Sequence, residues 1–241
     1  MRYVAGFLCV LAWLVAMSPT VVRAADPAAD APMTLLGEEG LSRLLDRVQA
    51  GLSEVMTIRA AFVQEKHLRV LEQVVRVEGL FLFEAPDRVR LETCSPYRSA
   101  LVASGGETRA YEEVGGHWTA LTGGNTDVSR LAMAQVAAWV RGDLRSASGA
   151  FDLAATGESP PSFCLTPVSG RLGRYIKAIR LTLAEDPMRM VCIEIEEPSG
   201  DFTRMRFSDE ERNLQLPDTV FDASVPCDCS RAKAHPIPGS Q

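Results

Sequence analysis

The spacing of apolar residues divides the chain into two helical stretches and two blocks of strands. From Glu38, Leu41, Leu44, Leu45, Val48, Leu52, Val55 and Met56 recur every three or four positions. That spacing predicts one apolar stripe on a helix about five turns long. Glu38 and Glu39 fall in its first turn, where the helix dipole favours acids. The period then changes to two. Ile58, Ala60 and Phe62 alternate with Arg59 and Ala61. A second strand runs from about Gln73 to Glu84, with Val77, Gly79, Phe81 and Phe83 on one face and Glu78, Leu80, Leu82 and Glu84 on the other. Its middle is apolar on both faces, which predicts cover on both sides. After the turn Ala85-Pro86-Asp87, Val89 and Leu91 alternate with Arg88, Arg90 and Glu92. Short strands at 99–103, 108–112 and 117–121 follow, joined by Gly105-Gly106 and Gly115-Gly116, and Gly123-Gly124-Asn125 closes the block. Short strands separated by glycine pairs predict a meander.

Residues 126–141 return to helical spacing, with Leu131, Val136, Ala137, Trp139 and Val140 on the apolar face and Gly142 as a stop. A weaker helical turn runs to Ala147. Strands resume at 151–155, 162–166, 175–183, 189–196 and 202–207, with Pro187 and Pro198-Ser199-Gly200 as hairpin turns. Residues 214–225 read as extended. The order is helix, six strands, helix, five strands, with no internal repeat and no linker. One antiparallel sheet with two helices is an α+β layout. A sheet of about eleven strands curls, and two amphipathic helices can cap its concave side over an apolar interior.

The N-terminus changes where the mature chain begins. Arg2 precedes an apolar run at residues 4–16, and Val22-Arg23-Ala24 suits cleavage after Ala24. We therefore expect a signal peptide at 1–24, a flexible lead-in at 25–37, one domain at 38–226 and a loose tail at 227–241. The apolar run is short for a membrane span. Removing it takes away Arg2 and Arg23 and no acid, so the net charge moves from −6 to −8. A balance that acidic speaks against nucleic acid and fits a soluble, monomeric exported protein. Five cysteines remain: Cys94, Cys164, Cys192, Cys227 and Cys229. Export permits disulfides, and the odd number leaves at least one cysteine outside any pair within the chain. Cys227-Asp-Cys229 lacks metal-site spacing, so the cysteines read as structural, with their pairing open.

The chain holds no GxSxG, HExxH, P-loop, GxGxxG or EF-hand loop. His67, His117 and His235 are scattered, and Glu112-Glu113 and Glu194, Glu196 and Glu197 read as solvated strand positions. The sequence therefore points away from an enzyme, and to no metal or cofactor. The abundant apolar strand residues, Phe62, Phe81, Phe83, Val89, Leu91, Met188, Met190, Val191, Met205 and Phe207 among them, fit either a plain core or the wall of a ligand cavity.

Several stretches, in order, resemble the LolA-like periplasmic outer-membrane lipoprotein carrier family. MTIRAAFVQEK (56–66) is similar to its opening strand, with Phe62 and Gln64 at the Phe-x-Gln. EGLFLFEAPDRVRLE with the following SP (78–96) is similar to its Gly-then-Pro pair of strands, through Gly79, Pro86 and Arg90. LVASGGETRAYEE (101–113), FCLTP (163–167) and FSDEERNLQLPDTVFDASVP (207–226) resemble later segments. The resemblance implies an incomplete, half-open barrel lidded by helices, whose apolar cavity shields the acyl chains of a lipoprotein. It implies a periplasmic carrier that receives cargo from an inner-membrane transporter and passes it to an outer-membrane acceptor. Carried over by position, the cavity residues are Leu52, Ile58, Phe62, Val89, Leu91, Val136 and Trp139. Two departures stand out. The carriers have an Arg directly before the Pro of the second turn that ties down the lid; Ala85 stands here, so the latch is absent or relocated, with Arg88 and Arg90 as nearby substitutes. They also have a Trp-type aromatic where this chain has Leu91. The alternatives are a carrier of another lipid or glycolipid, or a lipid- or stress-sensing interaction module of the same fold.

Overall fold

The computed structural model describes residues 36–69, 73–121, 126–170 and 172–232. The expected signal peptide, most of the lead-in, the Gly123-Gly124-Asn125 turn, the side chain of Leu131, His235 and the last nine residues lie outside them. Helix α1 is Glu38–Leu52. Six strands follow: β1 (Thr57–Leu68), β2 (Gln73–Glu84), β3 (Arg88–Ser95), β4 (Ser99–Ser104), β5 (Glu107–Val114) and β6 (His117–Ala120). Helix α2 is Thr126–Val140, and a 3-10 turn, Leu144–Gly149, leads to β7 (Phe151–Glu158), β8 (Pro161–Pro167), β9 (Ala178–Glu185), β10 (Met188–Glu196) and β11 (Phe202–Arg212).

All eleven strands form one antiparallel sheet in the order β6-β5-β4-β3-β2-β1-β11-β10-β9-β8-β7. The first and last strands pair in the middle, and the two edges, β6 and β7, are successive strands joined through α2. The sheet is curved and unclosed, and α2 lies in the connection between its two edge strands.

Register puts the apolar sets on one face. Ile58, Ala60 and Phe62 of β1 stand opposite Phe83, Phe81 and Gly79 of β2, and Val89 and Leu91 of β3 stand opposite Phe83 and Phe81. With Met205, Met190, Leu181, Leu183, Phe163 and Leu165 from the other half, they form one core under the helices. Helix α1 lies over β7 and β10 and buries Leu44, Leu45, Val48 and Leu52; α2 lies over β3, β4 and β5. The two helices meet where α2 stops. Gly142 has φ +80°, and a Cβ there would sit 2.8 Å from the Cα of Gln49 in α1. Only glycine satisfies both the left-handed backbone and that approach.

Helix α1 is shorter than its apolar stripe predicts. Met56 is exposed because its backbone already belongs to the sheet: its N–H donates to Asn213 Oδ1 (2.8 Å) and its carbonyl accepts from the Ala85 N–H (2.8 Å). The segment after β11 also departs from expectation. Residues 214–232 are neither extended throughout nor loose from Cys227. They contain 3-10 turns at Asp218–Phe221 and Cys229–Arg231 and form a strap against the outer face of the sheet. Phe221 and Ala223 bury there against Leu82, Ala100 and Val102.

Candidate functional site

The seven residues expected to line a cavity come from four elements, and all contribute to the single apolar interior between the concave face and the helices. Leu52, Ile58, Phe62, Val89 and Trp139 are buried in it, and Leu91 and Val136 are half-buried against it. Alternation brings Ile58, Phe62, Val89 and Leu91 to that face. Each helix buries an apolar stripe and has half-buried neighbours, Leu41, Leu153 and Ile193 on the α1 side among them. Under α1, Leu44, Val48 and Leu52 are matched by Phe163, Leu165, Leu181 and Leu183, all buried. Under α2, Leu91, Leu101, Ala103 and Val136 are only partly buried. Helix α1 also has polar anchors. Arg47 of α1 donates to the Glu158 carbonyl (2.6 Å), and Arg145 pairs with Asp46 (3.1 Å) and donates to the Ser42 carbonyl (3.2 Å).

The arginines expected to replace the lid latch do not face the lid. Arg88 and Arg90 stand on the outer face of β3, two positions apart, and with Glu92 and Cys94 they hold the strap. Arg88 lies over the Phe221 ring, 4.4 Å from its centroid. Arg90 is fully buried; its Nη1 donates to the carbonyls of Val220 (2.9 Å) and Asp222 (3.0 Å), and its Nη2 to that of Val225 (2.7 Å). Its Nε and Nη2 also donate to Glu92 Oε2 (2.9 and 2.5 Å). Glu92, equally buried, accepts from the Cys227 N–H (3.0 Å) and from Arg98 (2.8 Å). Cys94 closes the row with a disulfide to Cys229 across 135 residues of sequence. Ala85 turns its methyl to the apolar interior, so its side chain offers no polar group to tie a helix down.

The remaining polar candidates are structural. Glu194 and Glu196 are not free carboxylates on a wet face. Arg180 bridges both (3.2 and 3.0 Å), Arg204 pairs with Glu194 (2.9 Å) and Lys177 with Glu196 (2.5 Å). The Lys177 hydrogen bond, with Arg180 beside it, holds the Glu196 carboxyl below the usual range against its partial burial. Glu197 pairs with Lys66 (3.3 Å). His67 stacks on Phe202 with centroids 4.1 Å apart, and His117 is exposed at the start of β6. A groove of about 420 Å³ on the outer face, between Arg59, Leu80, Glu211 and Arg231, is lined by charges already paired to one another. The sulfurs of Cys94 and Cys229 sit close to Glu92, but they are bonded to each other and offer no thiolate to a metal.

Cys164, Cys192 and Cys227 are free. Burial pushes the Cys192 thiol up to about 11 and the Cys227 thiol up to about 12. Since the thiolate is the reactive form, an alkylating reagent at pH 8 should leave both unmodified in the folded protein. The same reagent in denaturant without reductant should modify three cysteines outside residues 1–24, with Cys94 and Cys229 recovered as a linked peptide. Peptide mass spectrometry reads both results.

Residues 53–224 match the family model described as outer membrane lipoprotein carrier protein LolA. The chain belongs to the LolA family. Among solved structures it is similar to one from the Pseudomonas aeruginosa MucA/MucB complex, at 17% identity over 75% of this chain and 59% of that one, with a TM-score of 0.42. It is also similar to the Mycobacterium tuberculosis lipoprotein LppX, at 12% identity over 75% and 99% of the chains (TM-score 0.40). A LolA superfamily protein from Nitrosomonas europaea matches at 10% over 75% and 96% (TM-score 0.39). No curated protein matches the chain. No described helix of this LolA-family protein is long and apolar enough to cross a membrane.

Proposed function

We propose that this LolA-family protein is a periplasmic carrier that shields the acyl chains of a lipoprotein, or of another lipid, and moves them from the inner to the outer membrane without covalent chemistry. The observation that carries the reading is the single apolar interior held between a curved, unclosed sheet and two helices, with Leu91 and Val136 in it only half-buried. Each CH₂ taken from water into such an interior contributes about 0.8 kcal/mol. Val136, Trp139 and their neighbours pack into that interior themselves. Cargo therefore competes with the lid's own packing, and the work of lifting α2 subtracts from its affinity. That subtraction suits a carrier, because a site that bound acyl chains at full strength could not release them to an acceptor.

Native mass spectrometry of the protein purified from a periplasm tests the proposal. We expect a co-purifying acylated species, lost in Leu91→Glu and Val136→Glu. Both positions are half-buried, so the charge meets the interior without sitting at its centre. An acylated peptide would identify lipoprotein cargo, and a free lipid or glycolipid the alternative. Apo protein from every preparation, with the two variants retaining function in cells, would sink the carrier reading.

A further inference from the structure

Three buried polar atoms on α2 and on β5, against which it packs, have no hydrogen-bond partner: Gln135 Oε1, Trp139 Nε1 and Thr108 Oγ1. Gln135 and Trp139 are four residues apart on α2, so they lie on adjoining turns of one side of the helix. Trp139 is only 5% exposed. Thr108 belongs to β5, against which α2 packs, and it stands opposite Ala103, which faces the same interior. The contrast with the outer face is informative. There Trp118 Nε1 donates to the Ala223 carbonyl at 2.8 Å. Buried indole N–H groups find partners as a rule, and this fold supplies one where the strap lies and none under α2. Among the described residues, no side chain of α1 carries an orphaned atom of this kind.

A donor and an acceptor one turn apart on a helix, both buried and unpaired, are complementary to a group that has both. We propose that Trp139 and Gln135, with Thr108 beside them, recognise a secondary amide at the head of the bound acyl chain. Trp139 Nε1 donates to the amide carbonyl, and Gln135 Oε1 accepts from the amide N–H. This rests on the acyl-carrier reading above and adds a selectivity to it: amide-linked chains are preferred to ester-linked or free ones. The apolar wall holds any chain of suitable length; the pair under α2 reads how that chain is attached. An ester satisfies Trp139 but leaves the Gln135 oxygen unpaired, and a hydrocarbon satisfies neither.

Displacement of bound ANS by N-methyl lauramide and by methyl laurate tests this on the full mature protein. The two ligands share a chain and differ at one N–H. We expect the amide to displace the dye about tenfold more effectively, the worth of one neutral hydrogen bond. Gln135→Met should erase that preference while leaving methyl laurate unchanged, and Trp139→Phe should weaken both ligands. Gln135→Met should also keep the wild-type thermal midpoint or exceed it, because it removes an unpaired buried acceptor. Equal displacement by the two ligands in the wild type, or an amide preference that survives Gln135→Met, overturns the proposal while leaving the carrier reading intact. Failure of both ligands to displace the dye overturns the carrier reading itself, and this proposal with it.

Discussion

Arg90→Met should lower the unfolding free energy by about 3–5 kcal/mol, the loss expected when one partner of a buried ion pair is removed. Three consequences fall together. Glu92, fully buried, is left with Arg98 as its remaining cation. The carbonyls of Val220, Asp222 and Val225 lose their shared donor. The strap's apolar side chains, Phe221 and Ala223, then sit on a surface that no longer holds their backbone. Glu92→Gln should cost less, since the amide keeps an oxygen for Arg90 and loses only the charge. Arg90→Met with Glu92→Met should be less harmful than the sum of the single changes, because neither charge is then stranded. Urea denaturation reads the stabilities. Hydrogen exchange locates the effect: amides of the strap should exchange faster in Arg90→Met while those of β8 and β9 keep their relative protection. A single change that costs under about 1 kcal/mol would show that the strap is held by its apolar contacts and by the disulfide instead.

That clamp also marks the boundary of what the chain's pattern reveals. The strands were legible because a half-buried strand must alternate, and nearly every period-two run lies within a strand of the sheet. The interior was legible for the same reason: Ile58, Phe62, Val89 and Leu91 share a face by parity alone. Parity says nothing about whether the other face is wet. Arg88, Arg90, Glu92 and Cys94 fall on alternate positions of β3, and such a row reads as a solvated edge. In the structure it is the anchor line of the C-terminal strap. Signals for the cover were present in Phe221, in the aromatic pair Tyr111 and Trp118, which stack 6.2 Å apart on that face, and in the odd cysteine count. None of them states which strand the strap crosses, because that contact joins residues about 130 positions apart. The lid latch is limited by the same omission: Arg88 and Arg90 lie near Ala85 in sequence, but strand parity turns them away from the helices, which leaves the latch absent or relocated elsewhere. The orphaned atoms of α2 lay beyond any reading of periodicity, since Gln135 and Trp139 become a pair only once burial separates them from water.

Gly79→Ala should destabilise the protein by about 3 kcal/mol, the upper end for an added methyl in a packed interior. Gly79 stands directly opposite Phe62, at the point where the β2–β3 register shifts by a residue. The Phe62 ring lies across it. A Cβ at this position would come within 2.5 Å of the ring's Cζ and 2.1 Å of the backbone oxygen of Glu92. The ring could rotate away; the carbonyl belongs to the β3 backbone, between Leu91 of the interior and Cys94 of the clamp. The added methyl must therefore push β2 from β3 or turn the Glu92 peptide, which disturbs the wall and the clamp together. Phe62→Leu separates the two clashes. If the ring were the main obstacle, Phe62→Leu would recover most of the loss in the Gly79→Ala background. The shorter distance to the carbonyl predicts that it recovers little, and that the double variant is at least as unstable as Gly79→Ala alone. Urea midpoints of the four proteins decide the matter. The same set tests the interior as a binding site. Phe62→Leu leaves an apolar wall and should retain acyl-chain binding, whereas Gly79→Ala, which displaces Phe62 and the strand behind it, should weaken binding without removing a single apolar atom.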